Sequence, residues 1–442
     1  MPKNNNGPAL PTVGALRDEG KALRSSAPRR SHDDWEPSAR RRDPIDLLVE
    51  SSRARLPELL PVRYGRMLAS PFAFFRGAAA IMAYDLSATP VTGIQVQACG
   101  DCHLMNFGIF ASPERRLLFD INDFDETLPA PWEWDVKRLA ASFAIASLEN
   151  GFAKGDARET AIAAARSYRE RIWQYAEMST LESWYSKIEA SVVEAKLGRA
   201  ERPNHADAEL ERTAGGEWKI VDKPPLIFHI TSNRRGALAD QVRLSLGEYR
   251  ESLPPERRVL VGRFQVADAA LKVVGIGSVG TRCAIVLMKA SPTDTLLLQW
   301  KEARTSVLEP YTKKSGYEHM GKRVVVGQRV MQSAIDVFLG WTQGPLGRHY
   351  YVRQLRDGKA KIAVDDYRPA QMEQLARFCG WALARAHARS GEAARISGYL
   401  GQNEAFDEAL GQFALTYARV NESDFAALKR AVRQKRIQAA KV

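Results

Sequence analysis

Three short β-rich runs in the second half of the chain constrain its fold most. They cover Lys272–Ile276, Thr281–Met288 and Leu296–Lys301, and they are rich in valine, isoleucine, leucine and threonine. A glycine-rich turn separates the first two runs, and a polar turn at 291–294 separates the second from the third. Residues of these types favour strands, and turns this short join antiparallel neighbours. The segment therefore predicts a small antiparallel sheet.

The turn between the first two runs has the pattern GxGxxG, formed by Gly275, Gly277 and Gly280. In a dinucleotide-binding fold a helix follows the third glycine, and an acidic residue comes about twenty positions later. Here a β-rich run follows, and Lys301 stands at the later position. A glycine turn between two strands and a third strand that ends in lysine form the ATP-covering arrangement of kinases, where the lysine neutralises the phosphates. The simpler interpretation is a hairpin turn followed by an exposed lysine.

A polar loop in the first half of the chain carries the other candidate residues. Asp101 and Asn106 are five positions apart, and Asp123 follows a β-rich run. The interval is that of a phosphotransferase catalytic loop, in which the aspartate orients an acceptor hydroxyl and the asparagine ligates Mg²⁺. We therefore predict Asp101 as the catalytic residue, with Asn106 and Asp123 holding Mg²⁺ that bridges the phosphates. The alternative is that Asp101 and Asn106 only satisfy the backbone of a turn.

Acidic residues crowd the segment after this loop, where Asp120, Asp123, Asp125 and Glu126 are close in sequence. Neighbouring carboxylates repel one another unless a cation lies among them, which favours a metal or phosphate-binding site over an ordinary loop. Asp135 lies in the first turn of a predicted helix. We expect it either to accept hydrogen bonds from the backbone of the Asp101 loop or only to interact with the helix dipole.

In a kinase-like site Lys301 has a carboxylate partner on a helix. Glu302 points to the opposite face of the strand, because side chains alternate along a strand. Glu309 precedes a proline, which disfavours helical geometry. We therefore predict Glu318 as the partner of Lys301, with a surface charge as the alternative.

Cys99, Cys102 and His103 match the haem-attachment pattern CxxCH, and the first four residues of the pattern match a redox CxxC. Haem attachment normally accompanies export, and the apolar core of a secretory signal is not found in Met1–Leu10. Zinc would need two more ligands at short spacing, and the other two cysteines are isolated. We therefore expect the cysteines to be small buried residues.

Composition narrows the class of protein. With 442 residues, 45% apolar and 26% charged, the chain is long enough for two or three globular domains. We find no apolar run long enough to span a membrane and expect a cytoplasmic protein without a membrane partner. The net charge of +12 would suit nucleic acid, but much of the excess of lysine and arginine lies near the two ends and no nucleic-acid motif is present. We therefore regard a nucleic-acid partner as the third choice.

The candidate loop also carries a resemblance to known enzymes. Gly100–Asn106 resembles the GDxHxxN catalytic loop of aminoglycoside and choline phosphotransferases, and Ile121–Phe124 resembles their metal-binding IDF motif with one residue inserted. Over about residues 32–430 the chain also resembles an uncharacterised bacterial family, domain of unknown function 2252. The segments that carry this second resemblance are Ser70–Gly77, Gly100–Gly108, Asn122–Glu126, Lys272–Gly280 and Gly327–Arg329.

The first resemblance implies an α+β, two-lobed, protein-kinase-like fold. It also implies a circular permutation, because the loop with Asp101 precedes the glycine-rich segment instead of following it. We accordingly predict five parts. They are a mobile arm (1–43), part of the large lobe with the catalytic and metal loops (44–225), connecting helices (226–258), a small β-rich nucleotide-binding lobe (259–357) and the large-lobe helices (358–442). Within the small lobe we predict a helix over at least Arg329–Leu339.

These expectations lead to a first hypothesis and an alternative. The first is an ATP·Mg²⁺-dependent phosphotransferase that acts on a hydroxyl of an unknown small molecule or protein. The alternative is a regulatory module that binds nucleotide without transferring phosphate, or one that transfers the nucleotidyl group. The unusual Cys99 and the acid-rich loop leave room for it, since histidine usually occupies the position of Cys99 in kinases.

Overall fold

Helices and strands occupy alternating blocks of the chain. The computed structural model describes residues 10–198, 209–213, 217–229, 238–273, 275–355, 360 and 362–441. The helices are α1 (Val13–Ala22), α2 (Pro44–Ser52), α3 (Leu60–Met67), α4 (Pro71–Gly77), α5 (Ala79–Leu86), α6 (Trp132–Glu149), α7 (Lys154–Glu177), α8 (Thr180–Tyr185), α9 (Ala190–Leu197), α10 (Leu238–Glu251), α11 (Pro255–Gly262), α12 (Met320–Met331), α13 (Pro369–Ala388), α14 (Ala393–Leu400) and α15 (Ala405–Arg433). The fold is mixed α+β, as predicted.

The strands form one larger sheet and three pairs. They are β1 (Gln95–Ala98), β2 (Phe107–Ala111), β3 (Leu117–Ile121), β4 (Leu128–Pro131), β5 (Leu210–Arg212), β6 (Trp218–Ile220), β7 (Ile227–Phe228), β8 (Gln265–Lys272), β9 (Cys283–Lys289), β10 (Thr295–Glu302), β11 (Gly340–Gln343) and β12 (His349–Gln354). The larger sheet has the order β11-β12-β10-β9-β8-β7, and the pairs are β1 with β4, β2 with β3, and β5 with β6. All of these pairings are antiparallel.

The predicted antiparallel sheet is therefore confirmed, with one shift. The runs at 281–288 and 296–301 coincide with β9 and β10, but the first strand, β8, ends at Lys272, where the predicted run begins. Alternation along β10 decides which side chains face which layer. Leu298 and Trp300 lie in one apolar core with Tyr249 of α10, so Lys301 projects from the other face of the sheet.

A second and larger core lies among α6, α7, α13 and α15. Trp132, at the start of α6, stacks on Tyr168 of α7 with ring centroids 5.6 Å apart, and both rings are fully buried. The pairs β1–β4 and β2–β3 contribute Ala98, Ile109 and Phe119 to the same core. This packing holds the loops that leave β1 and β3 against the helices.

The predicted helix over Arg329–Leu339 is wrong beyond Met331, where α12 ends. Polar side chains of the following residues bond instead to the β3 segment. Gln332 Nε2 donates to the Ile121 carbonyl at 3.0 Å, and both the backbone N and the Oγ of Ser333 donate to Asp120 Oδ2 at 2.8 and 2.7 Å. These bonds to β3 satisfy the polar groups of Gln332 and Ser333 outside the helix, so they compete with its continuation.

The segment predicted as a mobile arm packs on other parts of the fold from α1 onward, while residues 1–9 lie outside the described ranges. A Cβ on Gly20 of α1 would overlap the carbonyl of Arg395 in α14, so the two helices are in close contact. His32 Nε2 lies 2.7 Å from the Tyr399 hydroxyl, and Arg41 pairs with the buried Asp85 at 2.7 Å. The packing of this segment was not predictable, because single residues without a periodic apolar pattern hold it in place.

The polar stretch 198–216, with Pro203 and a pair of glycines, predicts a loop or linker, and most of it lies outside the described residues. Within the described ranges, none of the helices combines the length and the apolar character that crossing a membrane requires.

Candidate active site

The loop that carries Asp101 leaves β1 through a glycine that no other residue could replace without strain. Gly100 has a φ of +83°, and a Cβ at this position would overlap the carbonyl oxygen of Glu126. Asp135, in the first turn of α6, accepts hydrogen bonds from the backbone N of Cys99 at 2.6 Å and of Gly100 at 2.9 Å. The first of the two interpretations of Asp135 is therefore correct, and the loop is anchored to the helical core.

The two carboxylate oxygens of Asp101 have different surroundings. Arg138, one turn after Asp135 on α6, donates from Nε to Oδ1 at 2.7 Å and from Nη2 to the same oxygen. Oδ2 lies 3.9 Å from the Nε2 atom of His103, and the side chain is 19% exposed. Arg138 therefore orients the carboxylate through one oxygen and leaves the other facing the glycine turn described below. Sequence analysis missed Arg138, because nothing in a helical pattern shows which arginine faces a loop.

Lys301 lies between two carboxylates of the segment after β3. Its ammonium is 3.7 Å from Asp123 Oδ1 and forms a close ion pair with Asp125 Oδ2, and the residue is only 2% exposed. Burial alone would lower the pKa of Lys301, but Asp123 and Asp125 outweigh it and raise this pKa well above its ordinary value. Lys301 near the end of β10 and the acidic segment after β3 are far apart in sequence but lie in one site.

Asp123 and Asp125 differ in their hydrogen bonds and therefore in their acidity. Asp125 accepts from the Tyr351 hydroxyl at 2.7 Å and from Ser278 Oγ at 3.2 Å. Burial tends to raise the pKa of Asp125, but Lys301 and the hydroxyl donor outweigh it, and the net shift is downward. Burial and the charge of Asp125 raise the pKa of Asp123. Asp123 is thus a carboxylate whose negative charge is incompletely compensated.

Asn106 lies next to the acidic segment through backbone contact. Its carbonyl accepts from the backbone N of Asn122 at 2.8 Å, and its side-chain Nδ2 donates to the Asp101 carbonyl at 2.7 Å. The side chain of Asp123 is 34% exposed and accessible from solvent. No group of three His, Cys, Asp or Glu side chains suited to a metal occurs within the described ranges. Asn106 and Asp123 together offer an amide and a carboxylate oxygen, which suit Mg²⁺ when phosphates and water complete its shell.

The glycine turn between β8 and β9 lies over Asp101. A Cβ on Gly277 would be 3.8 Å from Asp101 Oδ2, and one on Gly280, whose φ is +85°, would be 3.0 Å from the side chain of Arg55. A Cβ on Gly275 would contact nothing within 4 Å among the described residues. The positive φ at Gly280 therefore favours glycine where the turn reverses direction, whereas a Cβ at Gly277 would make only an ordinary van der Waals contact with Asp101.

Two arginines, the buried Arg63 and the half-buried Arg55, hold this turn in place. Arg63 of α3 donates from Nη1 to the carbonyls of Ile276 at 2.9 Å and Gly277 at 3.1 Å, and Arg55 donates to the carbonyl of Val279 at 2.7 Å. Burial lowers the pKa of Arg63 to about 10 and lowers that of Arg55 well below its usual value. The turn is therefore bonded to the helices around Asp101 instead of standing free.

The structure gives Lys301 partners different from the predicted Glu318. Glu318 is exposed in the turn before α12 and makes no ion pair with Lys301 among the described residues. On α12 it is Arg323 that reaches toward the site, donating to the carbonyls of Asp125 and Arg304 at 2.7 Å. Glu302 points away from Lys301, as alternation predicted, and pairs with Arg282 at 3.3 Å.

The cysteines are free and buried, which confirms the interpretation of them as small core residues. Cys99 Sγ lies 3.4 Å from the Asp123 carbonyl, so the residue joins the two loops of the site. Burial raises the pKa of Cys102 well above its usual value, which keeps this thiol protonated and unreactive.

Comparison with protein-family models now gives the chain a family. The model described as an uncharacterised protein conserved in bacteria, DUF2252, matches residues 55–431. The chain belongs to the DUF2252 family. The match covers every residue of the site described above, from Arg55 under the glycine turn to the end of α13. Searches of curated proteins and of solved structures found no match to this DUF2252 protein.

Proposed function

We propose that the protein transfers a phosphoryl group from ATP, with Mg²⁺, to a hydroxyl of a small molecule or a protein. The observation that carries the proposal is the position of Lys301, 3.7 Å from Asp123 and ion-paired with Asp125, on the strand that follows the glycine turn and β9. Kinases use a strand lysine and a metal-binding aspartate in this way to hold the phosphates of ATP from both sides. The glycine turn above Asp101 agrees with a transfer site between them.

The same enzyme class implies a two-lobed kinase-like fold, which in this chain would be circularly permuted. In kinases a large-lobe helix leads into the catalytic loop; here that helix would be α13, which lies far after the loop in sequence. Two contacts support the assignment. Gln97 N of β1 donates to Ser390 Oγ just after α13 at 3.0 Å, and His387 Nε2 lies 3.2 Å from Asp135 Oδ2. The end of the helix is thus adjacent to the start of the loop, without a direct chain connection.

In this proposal each candidate residue has one role. Asp101 orients the acceptor hydroxyl through Oδ2, because Arg138 holds Oδ1. The ammonium of Lys301 gives up its ion pair with Asp125 and binds the phosphates, and the backbone of the glycine turn covers them. Asn106 and Asp123 would hold Mg²⁺, which supplies positive charge against the triphosphate. The raised pKa of Asp123 fits such a ligand, since a bound cation would stabilise the charged carboxylate.

A second candidate function is nucleotide binding without phosphoryl transfer, or transfer of the nucleotidyl group. The observation that favours it is the pairing of Asp101 with Arg138, since the guanidinium already occupies one of the two carboxylate oxygens that could accept a hydrogen bond from an acceptor hydroxyl. In addition, the close ion-pair partner of Lys301 is Asp125 of the acidic segment, whereas in kinases the partner of this lysine is a glutamate on a helix.

The test is mass spectrometry of the reaction products after incubation with ATP and Mg²⁺, using wild-type protein and an Asp101→Asn variant. We expect a phosphate adduct on an acceptor or on the protein itself with the wild type. The variant should lose at least about a hundredfold in rate, because a positioned base contributes that much, and should keep its affinity for ATP. An Asp294→Asn variant in the exposed β9–β10 turn is the matched control. An AMP adduct, or unchanged transfer by Asp101→Asn, would contradict the proposal.

A further inference from the structure

An arginine that the roles above leave unused lies beside the carboxylate of Asp101. Arg76 is on α4, and its carbonyl oxygen would be 3.5 Å from a Cβ on Gly277, the same point that lies 3.8 Å from Asp101 Oδ2. Burial lowers the pKa of Arg76 and Asp101 raises it. After burial, the charges of Arg76 and Arg138 are what lower the pKa of His103. The guanidinium of Arg76 is therefore within electrostatic reach of both Asp101 and His103.

Arg76 is a cation without a counterion among the described residues. It makes no hydrogen bond or ion pair with any of them, and its Nε atom is buried without a partner. Arg138 already neutralises Asp101, so the carboxylate does not require a second arginine. Arg76 is half-buried, and shielding part of a guanidinium from water without a partner is costly, which favours an anion that completes the pairing.

A second arginine, Arg63, is bonded to the residue that follows Arg76. Arg63 is fully buried and donates only to carbonyl oxygens, those of Ile276, Gly277 and Gly77. Its Nε atom also lacks a hydrogen-bond partner. Around Asp101 the arginines Arg63, Arg76 and Arg138 outnumber the carboxylates Asp101 and Glu126, whereas Lys301 lies between the two carboxylates Asp123 and Asp125.

The position of Arg76 indicates which ligand it would meet. In the proposed function the triphosphate and Mg²⁺ lie between Lys301 and Asp123, and the acceptor lies at Asp101. The backbone of Arg76 lies against the glycine turn above Asp101, and Asp101 is the charge that raises the pKa of Arg76. Arg76 is therefore associated with the acceptor side of the site.

We propose that Arg76 binds an anionic group of the acceptor, a carboxylate or a phosphate, and that the substrate is an anionic hydroxy compound. This inference rests on the proposed function. It separates the protein from the enzymes that its loop resembles, since choline and aminoglycosides are cations. An arginine can bind either anion through two parallel N–H donors.

The experiment uses four hydroxyl compounds of similar size: glycerol, glycerate, glycerol 3-phosphate and choline. Each is supplied with ATP and Mg²⁺ to the wild type, to Arg76→Gln and to an Arg53→Gln control on the exposed end of α2. Phosphorylated products are measured by mass spectrometry. In parallel, binding of each compound in the presence of Mg²⁺ and a non-hydrolysable ATP analogue is measured by calorimetry.

We expect at least one of the two anions to bind and react about tenfold or more better than glycerol and choline, the difference that one lost ionic contact produces. Arg76→Gln should remove this preference and leave the affinity for the ATP analogue within about threefold. Glycerate and glycerol 3-phosphate separate a carboxylate from a phosphate as the recognised group.

Equal use of glycerol or choline, or an anion preference that survives in Arg76→Gln, would overturn the inference. So would a loss of analogue affinity in Arg76→Gln without a change in acceptor preference, because Arg76 would then contact ATP. Failure of both anions to bind would count against it equally. Anion binding that depends on Arg76 without any phosphorylated product would uphold the anion site and refute the proposed phosphotransferase.

Discussion

Buried charges in this protein are mostly paired, and their pairing explains where they occur. Arg385 and Asp120 are both completely buried, and Arg385 Nη2 donates to the two carboxylate oxygens at 2.7 and 2.9 Å. The same guanidinium nitrogen also donates to the Met331 carbonyl at 2.7 Å, which helps to hold the end of α12. Removing one partner from such a pair typically costs about 3–5 kcal/mol, because the other charge is left in a dry environment.

Lys137 of α6, like Arg63, departs from this rule. It is completely buried, its ammonium has no hydrogen-bond partner among the described residues, and it lies 5.2 Å from the ring centroid of Phe413. Burial lowers its pKa to about 7, although Glu133 one turn earlier opposes the shift. The folded protein therefore binds fewer protons at this residue than the unfolded chain does between pH 7 and the ordinary lysine pKa.

We predict that this residue makes stability depend on pH. Because the unfolded state binds the extra proton, the free energy of unfolding should rise with pH by up to about 1.4 kcal/mol per unit between pH 7 and pH 10. A Lys137→Met variant should lack this part of the slope and be more stable than the wild type at pH 7. Urea unfolding of both proteins across this range measures the difference, with Lys21→Met on the exposed face of α1 as the control. Parallel curves for Lys137→Met and the wild type would refute the assignment.

At the scale of elements, the helices pack through glycines at positions where their backbones approach. Gly380 of α13 faces α7, and a Cβ there would overlap the carbonyl oxygen of Ala164 and lie 3.1 Å from Tyr168 N. Gly398 of α14 similarly meets the backbone of Arg17 in α1. Interiors are packed too tightly to absorb one extra carbon at such contacts without movement of the backbone.

Two glycine-to-alanine changes should therefore have opposite effects. Gly380→Ala should lower the free energy of unfolding by about 1–3 kcal/mol, since α7 and α13 must separate. Gly247→Ala on α10, where a Cβ would contact nothing within 4 Å among the described residues, should raise it by about 1 kcal/mol through helix propensity. Thermal unfolding of the two variants beside the wild type checks both signs. Stabilisation by both changes would show that α7 and α13 are not in close contact at Gly380.

The same scale shows what sequence patterns can predict. Apolar runs in the sequence predicted β9 and β10 closely. Whether such a segment forms a strand depends mainly on its own residue types, which the sequence shows directly. The end of α12 was not predictable, since Ser333 and Gln332 bond to Asp120 and Ile121 more than two hundred positions away. Such contacts form only in the tertiary structure, so the sequence around the end of α12 does not indicate them.

At the scale of the whole molecule, the candidate site joins parts of the chain that are far apart in sequence. The sequence indicated Asp101, Asn106, Asp123 and Lys301, because motif spacing is a local property, and the structure brings the last two within 3.7 Å. The roles of these residues remain predictions. The partners that hold them were not foreseen, and they are Arg138 on Asp101, Asp125 on Lys301 and Arg63 on the glycine turn. A long arginine can be placed against a loop from almost any helix, so spacing carries no information about it.

The most direct test of the central claim is hydrogen–deuterium exchange with and without a non-hydrolysable ATP analogue and Mg²⁺. If one nucleotide site is built from both parts of the chain, exchange should slow in residues 100–125 and in residues 275–301 together. The effect should require Mg²⁺, and it should be lost in both segments in a Lys301→Met variant. Slower exchange in only one of the two segments, or in neither, would contradict the account.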